Sequence, residues 1–295
     1  MQRPPPLSAA IYYPITAGIA ALSVAATWQL YSGADVSQFM LGYDVWWKEL
    51  WHCLTTTLFH ANIFHLIFNL YWLWAFGTKV ESEFGHPAMI GIFVLLGVGS
   101  SAAEYALLIG GIGLSGVVYG LFGLLWILGR SERRFSEAID RSTVHLFIVW
   151  FFFCILTTVA GVWQIANIAH GMGFVLGALL GWTLAERGRA RRARNAALLA
   201  AVFLLCAVGG TAARPYINLT SDAGRHLAYQ GYLALEEEDN EKAATLYERA
   251  VAINPNMPDW WNNLGVAYVR LGRIDDAQSA FQRKAELEPK PPPNR

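Results

Sequence analysis

Residues 113–120 read GLSGVVYG and residues 165–170 read IANIAH. Each places one reactive side chain, Ser115 or His170, in an otherwise apolar stretch. A serine hydroxyl becomes a useful nucleophile when a neighbouring base takes its proton, and a neutral imidazole can be that base. Singly, each residue has an ordinary explanation. Membrane serines bond back to their own helix or fill helix contacts, and a lone histidine can bridge helices or line a pore. Together they offer the nucleophile and base of an acyl transfer. Such chemistry also needs hydrogen-bond donors for the developing oxyanion. Residues 60–74, HANIFHLIFNLYWLW, carry His65 and Asn69 four apart, hence on one helical face, with a ring N–H and an amide NH₂ to donate. The alternative for this pair is an interhelical hydrogen bond. His60, at the outer mouth of the stretch, reads as structural, bonding the adjoining loop.

These residues lie in a chain built for a bilayer. Of 295 residues 55% are hydrophobic and only 15% charged, with mean hydropathy +0.33; soluble domains carry about 25% charged residues. The net charge is zero, so no bulk field points to nucleic acid. Seven apolar stretches, roughly 8–31, 60–78, 88–109, 113–129, 144–160, 165–186 and 196–213, approach the ~20 residues that cross a membrane. The expected fold is therefore all-α, a polytopic helix bundle. The Trp-rich stretch 32–59 reads as an interfacial loop, because Trp favours the headgroup level. Arg130, Arg133, Arg134 and Arg141 in one loop, and Arg187, Arg189, Arg191, Arg192 and Arg194 in another, should be cytoplasmic. Counting spans from these loops puts the N-terminus inside, and the 32–59 loop and everything after 213 outside. Two glycine stripes, Gly116–Gly120 and Gly173–Gly177–Gly181, would let the fourth and sixth spans meet backbone to backbone, bringing Ser115 and His170 together at similar depth. Cys53, Cys154 and Cys206 have no metal-ligand spacing and read as small buried hydrophobes. No cofactor and no metal is called for.

After residue 213 charged, alanine-rich segments replace the apolar runs. A 34-residue self-match pairs Gly231 with Gly265, Ala243 with Ala277, Tyr247 with Phe281 and Pro255 with Pro289. This resembles tetratricopeptide repeats, at about 224–257 and 258–291. The second copy departs from the usual pattern at Lys284. The first has Leu227 where an aromatic is usual. Trp261, at a pattern position, is expected in the repeat core, and Trp260 is the freer residue for a partner contact. The domain division is then 1–190 for a membrane core, 191–213 for a seventh transmembrane helix and 214–295 for a repeat domain.

GLSG with Tyr119 four residues beyond the serine, IANIAH followed by Gly173 and Gly177, and HANIFHLIFN followed by Glu81 and Gly85 resemble the rhomboid intramembrane serine proteases. The motifs stand in family order on spans two, four and six, and the likeness covers roughly residues 1–213. It implies that Ser115 is the nucleophile and His170 the general base of a dyad without an acid. It implies that His65, Asn69 and the Ser115 amide cradle the oxyanion, that Tyr119 lies against the His170 ring, that Gly113 and Gly116 flank the nucleophile, and that Gly173 makes the close contact of spans four and six. It also implies substrates that are transmembrane segments of other proteins, cut near the outer face, and mobility in the fifth span and outer loops. Where many rhomboids have a Trp-Arg pair in the first outer loop, Trp51 is followed by His52, which puts the loop's anchoring bonds in question.

Two other readings compete. A catalytically silent rhomboid-like protein would bind or escort membrane clients, but would be expected to lose Ser115 or His170. A transporter or channel predicts charges deep in spans, where Glu104 is the main one; near an outer end, it reads as an interfacial or snorkelling group. The repeats would recruit a protein partner or substrate, or mediate self-association. A bacterial inner membrane is the expected location.

Overall fold

The structure is a computed structural model that describes residues 4–41, 50–220 and 224–288. Part of the expected interfacial loop (42–49) and Pro289 of the second repeat lie outside the described residues. The described residues are helical, with no strand among them. They form two compact units, the first ending at Thr211 and the second beginning at Ala212.

The first unit holds seven long helices, numbered here α1 Pro14–Tyr31, α2 Ile63–Phe84, α3 His86–Leu107, α4 Ser115–Ser131, α5 Arg141–Val159, α6 Asn167–Ala185 and α7 Arg189–Gly209. They overlap the seven apolar stretches, but α2 runs on to Phe84 and α7 begins at Arg189, so Arg189, Arg191, Arg192 and Arg194, expected in a loop, lie in its first turns. By length and composition α3, α5, α6 and α7 are long and apolar enough to cross a membrane, and α4 is apolar but shorter. The polar residues of α2, His65, Asn69, Lys79, Glu81 and Glu83 among them, hold its hydropathy down.

Local chemistry sets the helix ends. Asn62 caps α2, its Oδ1 accepting from the His65 amide at 2.8 Å. Gly85 ends α2 at φ +84°, a left-handed turn that suits a residue without Cβ. Asp140 caps α5 through the Thr143 amide at 2.8 Å. α4 is the axis of the unit: Leu121, Leu124, Leu125 and Leu128 are fully buried. Against it lies α6, so close that a Cβ on Gly173 would strike the Gly116 carbonyl and one on Gly177 the Gly120 carbonyl. α5 differs: Val149, Phe152, Leu156 and Val159 all face outward, as lipid-facing residues would.

The loop before α2 is tied down without an arginine. His52 is buried, its Nε2 2.8 Å from the Gln38 carbonyl, and the Thr55 hydroxyl donates to the Phe39 carbonyl at 2.7 Å.

The second unit contains two helix pairs, α8 Arg225–Glu236 with α9 Asn240–Ile253, and α10 Pro258–Arg270 with α11 Ile274–Leu287. Gly231 sits on the Tyr247 ring and Gly265 on the Phe281 ring, so the 34-residue period is a repeated glycine-on-aromatic contact. The two tryptophans depart from what was expected: Trp260, expected to be free, is the buried one, and Trp261 packs against the core from its edge. Trp260 is buried in the core with Leu264, Ala267 and Tyr268, while Trp261 is half-buried and donates from Nε1 to the Pro255 carbonyl at 2.8 Å. The stripe 260–264–267–268 has the spacing of an inward helical face, and Trp261 falls beside it. Burial, and then the bond to Glu248, push the Tyr268 phenol up to about 12, so it stays a donor to that carboxylate at 2.8 Å.

Candidate active site

Ser115 opens α4 and His170 lies in the first turn of α6. The small-residue seam between these helices brings the Ser115 Oγ to 2.7 Å from His170 Nε2. His170 is 4% exposed. Its Nδ1 is buried with no hydrogen-bond partner among the described residues. With the serine hydroxyl donating to Nε2, the ring proton sits on Nδ1, and no carboxylate orients it. Tyr119, one turn beyond Ser115, stacks on the imidazole with centroids 4.7 Å apart and planes 20° apart. Its hydroxyl donates to the Phe147 carbonyl at 3.2 Å.

The approach to Ser115 is narrow. Gly113 has φ +115°, and a Cβ there would lie 2.5 Å from Cε1 of His65; the glycine both makes the turn and admits the ring. A Cβ on Gly116 would likewise lie 2.8 Å from the Cβ of Ser100. His65 therefore stands beside the segment that delivers the serine. Asn69, one turn along α2, is buried, and its Nδ2 donates to the His65 carbonyl at 3.0 Å. One amide hydrogen is thus used within the helix and one is not. His60 binds the other side of the turn: the Leu114 amide donates to its Nε2 at 3.4 Å, and its Nδ1 lies 3.1 Å from the Leu58 carbonyl. Nε2 as acceptor fixes the proton on Nδ1, consistent with both contacts.

Glu104 departs from the interfacial reading. It is 2% exposed, and its Oε2 accepts from the Ala169 amide at 2.9 Å. With Ser100, Ser101, Gly111, Gly113 and Ser115 it lines a cavity of about 10 Å³, close to the smallest that holds one water molecule. The sequence carried a signal for it: a carboxylate in an apolar span is expensive unless paired, and Ser100, Ser101 and Glu104 share a helical side.

A polytopic helix bundle with a serine and a histidine joined across a glycine seam is the class this geometry defines. Residues 47–187 match the family described as Rhomboid domain, and residues 230–293 match Tetratricopeptide repeat. The chain is thus similar to a rhomboid domain over residues 47–187 and to tetratricopeptide repeats beyond it. Among curated relatives, a protein named rhomboid protease GlpG from Photorhabdus laumondii is 31% identical over 134 residues, 45% of this chain and 46% of that protein. Its namesake from Pectobacterium atrosepticum is 32% identical over 138 residues, 45% and 48% of the two chains. The one from Yersinia pseudotuberculosis is 28% identical over 142 residues, 45% and 47%. The chain spans about half the length of these relatives.

Proposed function

We propose that this protein is an intramembrane serine endopeptidase that cleaves transmembrane segments of other membrane proteins by a Ser115–His170 dyad. The observation that carries the reading is the 2.7 Å approach of Oγ to Nε2 inside an apolar bundle. Ser115 Oγ attacks the scissile carbonyl carbon while its proton passes to His170 Nε2. The tetrahedral intermediate collapses, the C–N bond breaks, and Nε2 returns the proton to the leaving amine. Water, deprotonated by the same nitrogen, then hydrolyses the acyl-enzyme. His65, Asn69 and the Ser115 amide supply the oxyanion donors, worth ~10²–10³ in rate for a single donor elsewhere. Gly113 and Gly116 keep the nucleophile accessible, and Gly173 sets the depth at which His170 meets it.

A helical substrate hides its carbonyls in hydrogen bonds, so the segment to be cut must unwind locally. Helix-weakening residues near the cut favour this. By the arginine-rich segments the active-site mouth and the repeat domain face outside, across a bacterial inner membrane. The repeats then bind a protein partner, or a second copy of the chain, on that side. No cofactor enters the mechanism.

The test is cleavage of a panel of transmembrane reporters by the purified full chain in detergent, with S115A and H170A as comparisons. Cleavage by the wild type that vanishes in both variants is the expected result. Persistence in both would sink the dyad, and a wild type inert across the whole panel would favour a silent client-binding protein.

A further inference from the structure

The first turn of α6 carries His170 but has no side-chain cap of its own: its N-cap residue is Ala166, and no side-chain bond is made there. The four leading amides of a helix have no partner within it, and in a dry bundle each unmet donor is expensive. Glu104 meets one of them from α3, 65 residues earlier, accepting from the Ala169 amide at 2.9 Å. Ala169 immediately precedes His170. The carboxylate is 2% exposed, and it also lines the cavity that reaches Ser115. The same device recurs at α1. There the buried Glu81 accepts from the Ile15 and Thr16 amides at 2.9 and 2.8 Å and from the Thr16 hydroxyl at 2.6 Å. In this chain a buried glutamate docks a helix start onto a neighbouring helix twice.

We propose that Glu104 is a positioning residue for His170: a cap supplied across the bundle that fixes where the first turn of α6 sits, and with it the Oγ–Nε2 distance. The inference rests on the proteolytic reading. Its requirement is reach and an acceptor oxygen rather than charge. Glutamine keeps both, aspartate keeps the charge but is one methylene short, and alanine keeps neither.

Three variants of the full chain, E104Q, E104D and E104A, separate these roles through three measurements. The first is kcat and KM on a transmembrane reporter. The second is the rate at which a fluorophosphonate labels Ser115. The third is amide hydrogen exchange over residues 167–171. E104Q should stay within about threefold of wild type in all three. E104D and E104A should lose about 10–100-fold in kcat and labelling rate with KM within about twofold, since misplacing a catalytic group by about 1 Å can cost ~10²-fold. Their exchange should rise over 167–171 and not in α4. Should E104A fail to fold, the Q-against-D comparison alone decides. Loss in E104Q as deep as in E104D, or none in E104D and E104A, would overturn the proposal. If the wild type neither cleaves nor is labelled, the proteolytic reading fails, and the exchange data still report whether Glu104 holds the turn.

Discussion

An alcohol at neutral pH attacks an amide only if its proton has somewhere to go, and at Ser115 the one side-chain acceptor at hand among the described residues is an imidazole stacked on Tyr119. Most serine hydrolases orient their base through a carboxylate on its second nitrogen. Here that nitrogen is buried with no hydrogen-bond partner among the described residues, and under the proposed reading the Tyr119 ring, 4.7 Å away and nearly parallel, would do the steering. The face of the ring should then matter more than its hydroxyl. Y119F, which loses only the bond to Phe147, is expected to keep cleavage within about threefold, whereas Y119A should lower kcat by about tenfold or more as His170 gains freedom. Equal losses in the two variants would assign the role to the hydroxyl instead. Asn69 makes a parallel case. Its Nδ2 already donates to the His65 carbonyl, and the remaining hydrogen is the one an oxyanion would use. N69A should therefore lower kcat by about 10²-fold with little change in KM, read from the same reporter kinetics.

At the scale of elements, the α4–α6 seam converts sequence spacing into the Ser115–His170 distance. Glycines four apart on each helix put a flat stripe on each face, and the Gly116 and Gly120 carbonyls occupy the space where Gly173 and Gly177 would carry a Cβ. Even one methyl at Gly173 must push backbone from backbone, and the partner here is a rigid carbonyl rather than a flexible side chain. Overpacking of this kind costs about 1–3 kcal/mol. G173A should therefore lose activity and midpoint stability together, while alanine at Gly91, where a Cβ meets nothing within 4 Å, should change neither; melting curves and reporter cleavage on both variants check this. This seam was legible in the sequence because a four-residue period is a property of one helix at a time. The motifs on α2, α4 and α6 were legible for the same reason. What the sequence could not show were contacts made by one side chain to a distant backbone. The amide that Glu104 meets is 65 residues away, and the carbonyl that His52 meets depends on how a loop folds back. Trp260 departs from expectation because adjacent positions differ by about 100° around a helix, and two neighbouring tryptophans leave the inward direction to be settled by the rest of the stripe.

At the scale of the molecule, the chain joins two cores of different kinds. Around α4 the core is mainly leucine, phenylalanine and valine, and lipid would cover its outer faces. After Ala212 the core is small: alanines, Leu227, Leu235, Leu264, Val251, two tyrosines and Trp260 between four short helices. Fewer than three repeats seldom stack stably, so a single large side chain carries much of that stability. Because the cores share no residues, they should unfold as separate cooperative units. W260A removes the largest side chain of the second core, a change that costs about 3–5 kcal/mol in well-packed sites. It should abolish protease resistance across residues 224–288 while Ser115 labelling by a fluorophosphonate stays at the wild-type rate. W261A, which gives up one bond to the Pro255 carbonyl from a half-buried position, should shift the same protection only slightly. If W260A also slows labelling of Ser115, the repeats are coupled to the proposed active site, and the reading of them as a partner-binding module alone fails.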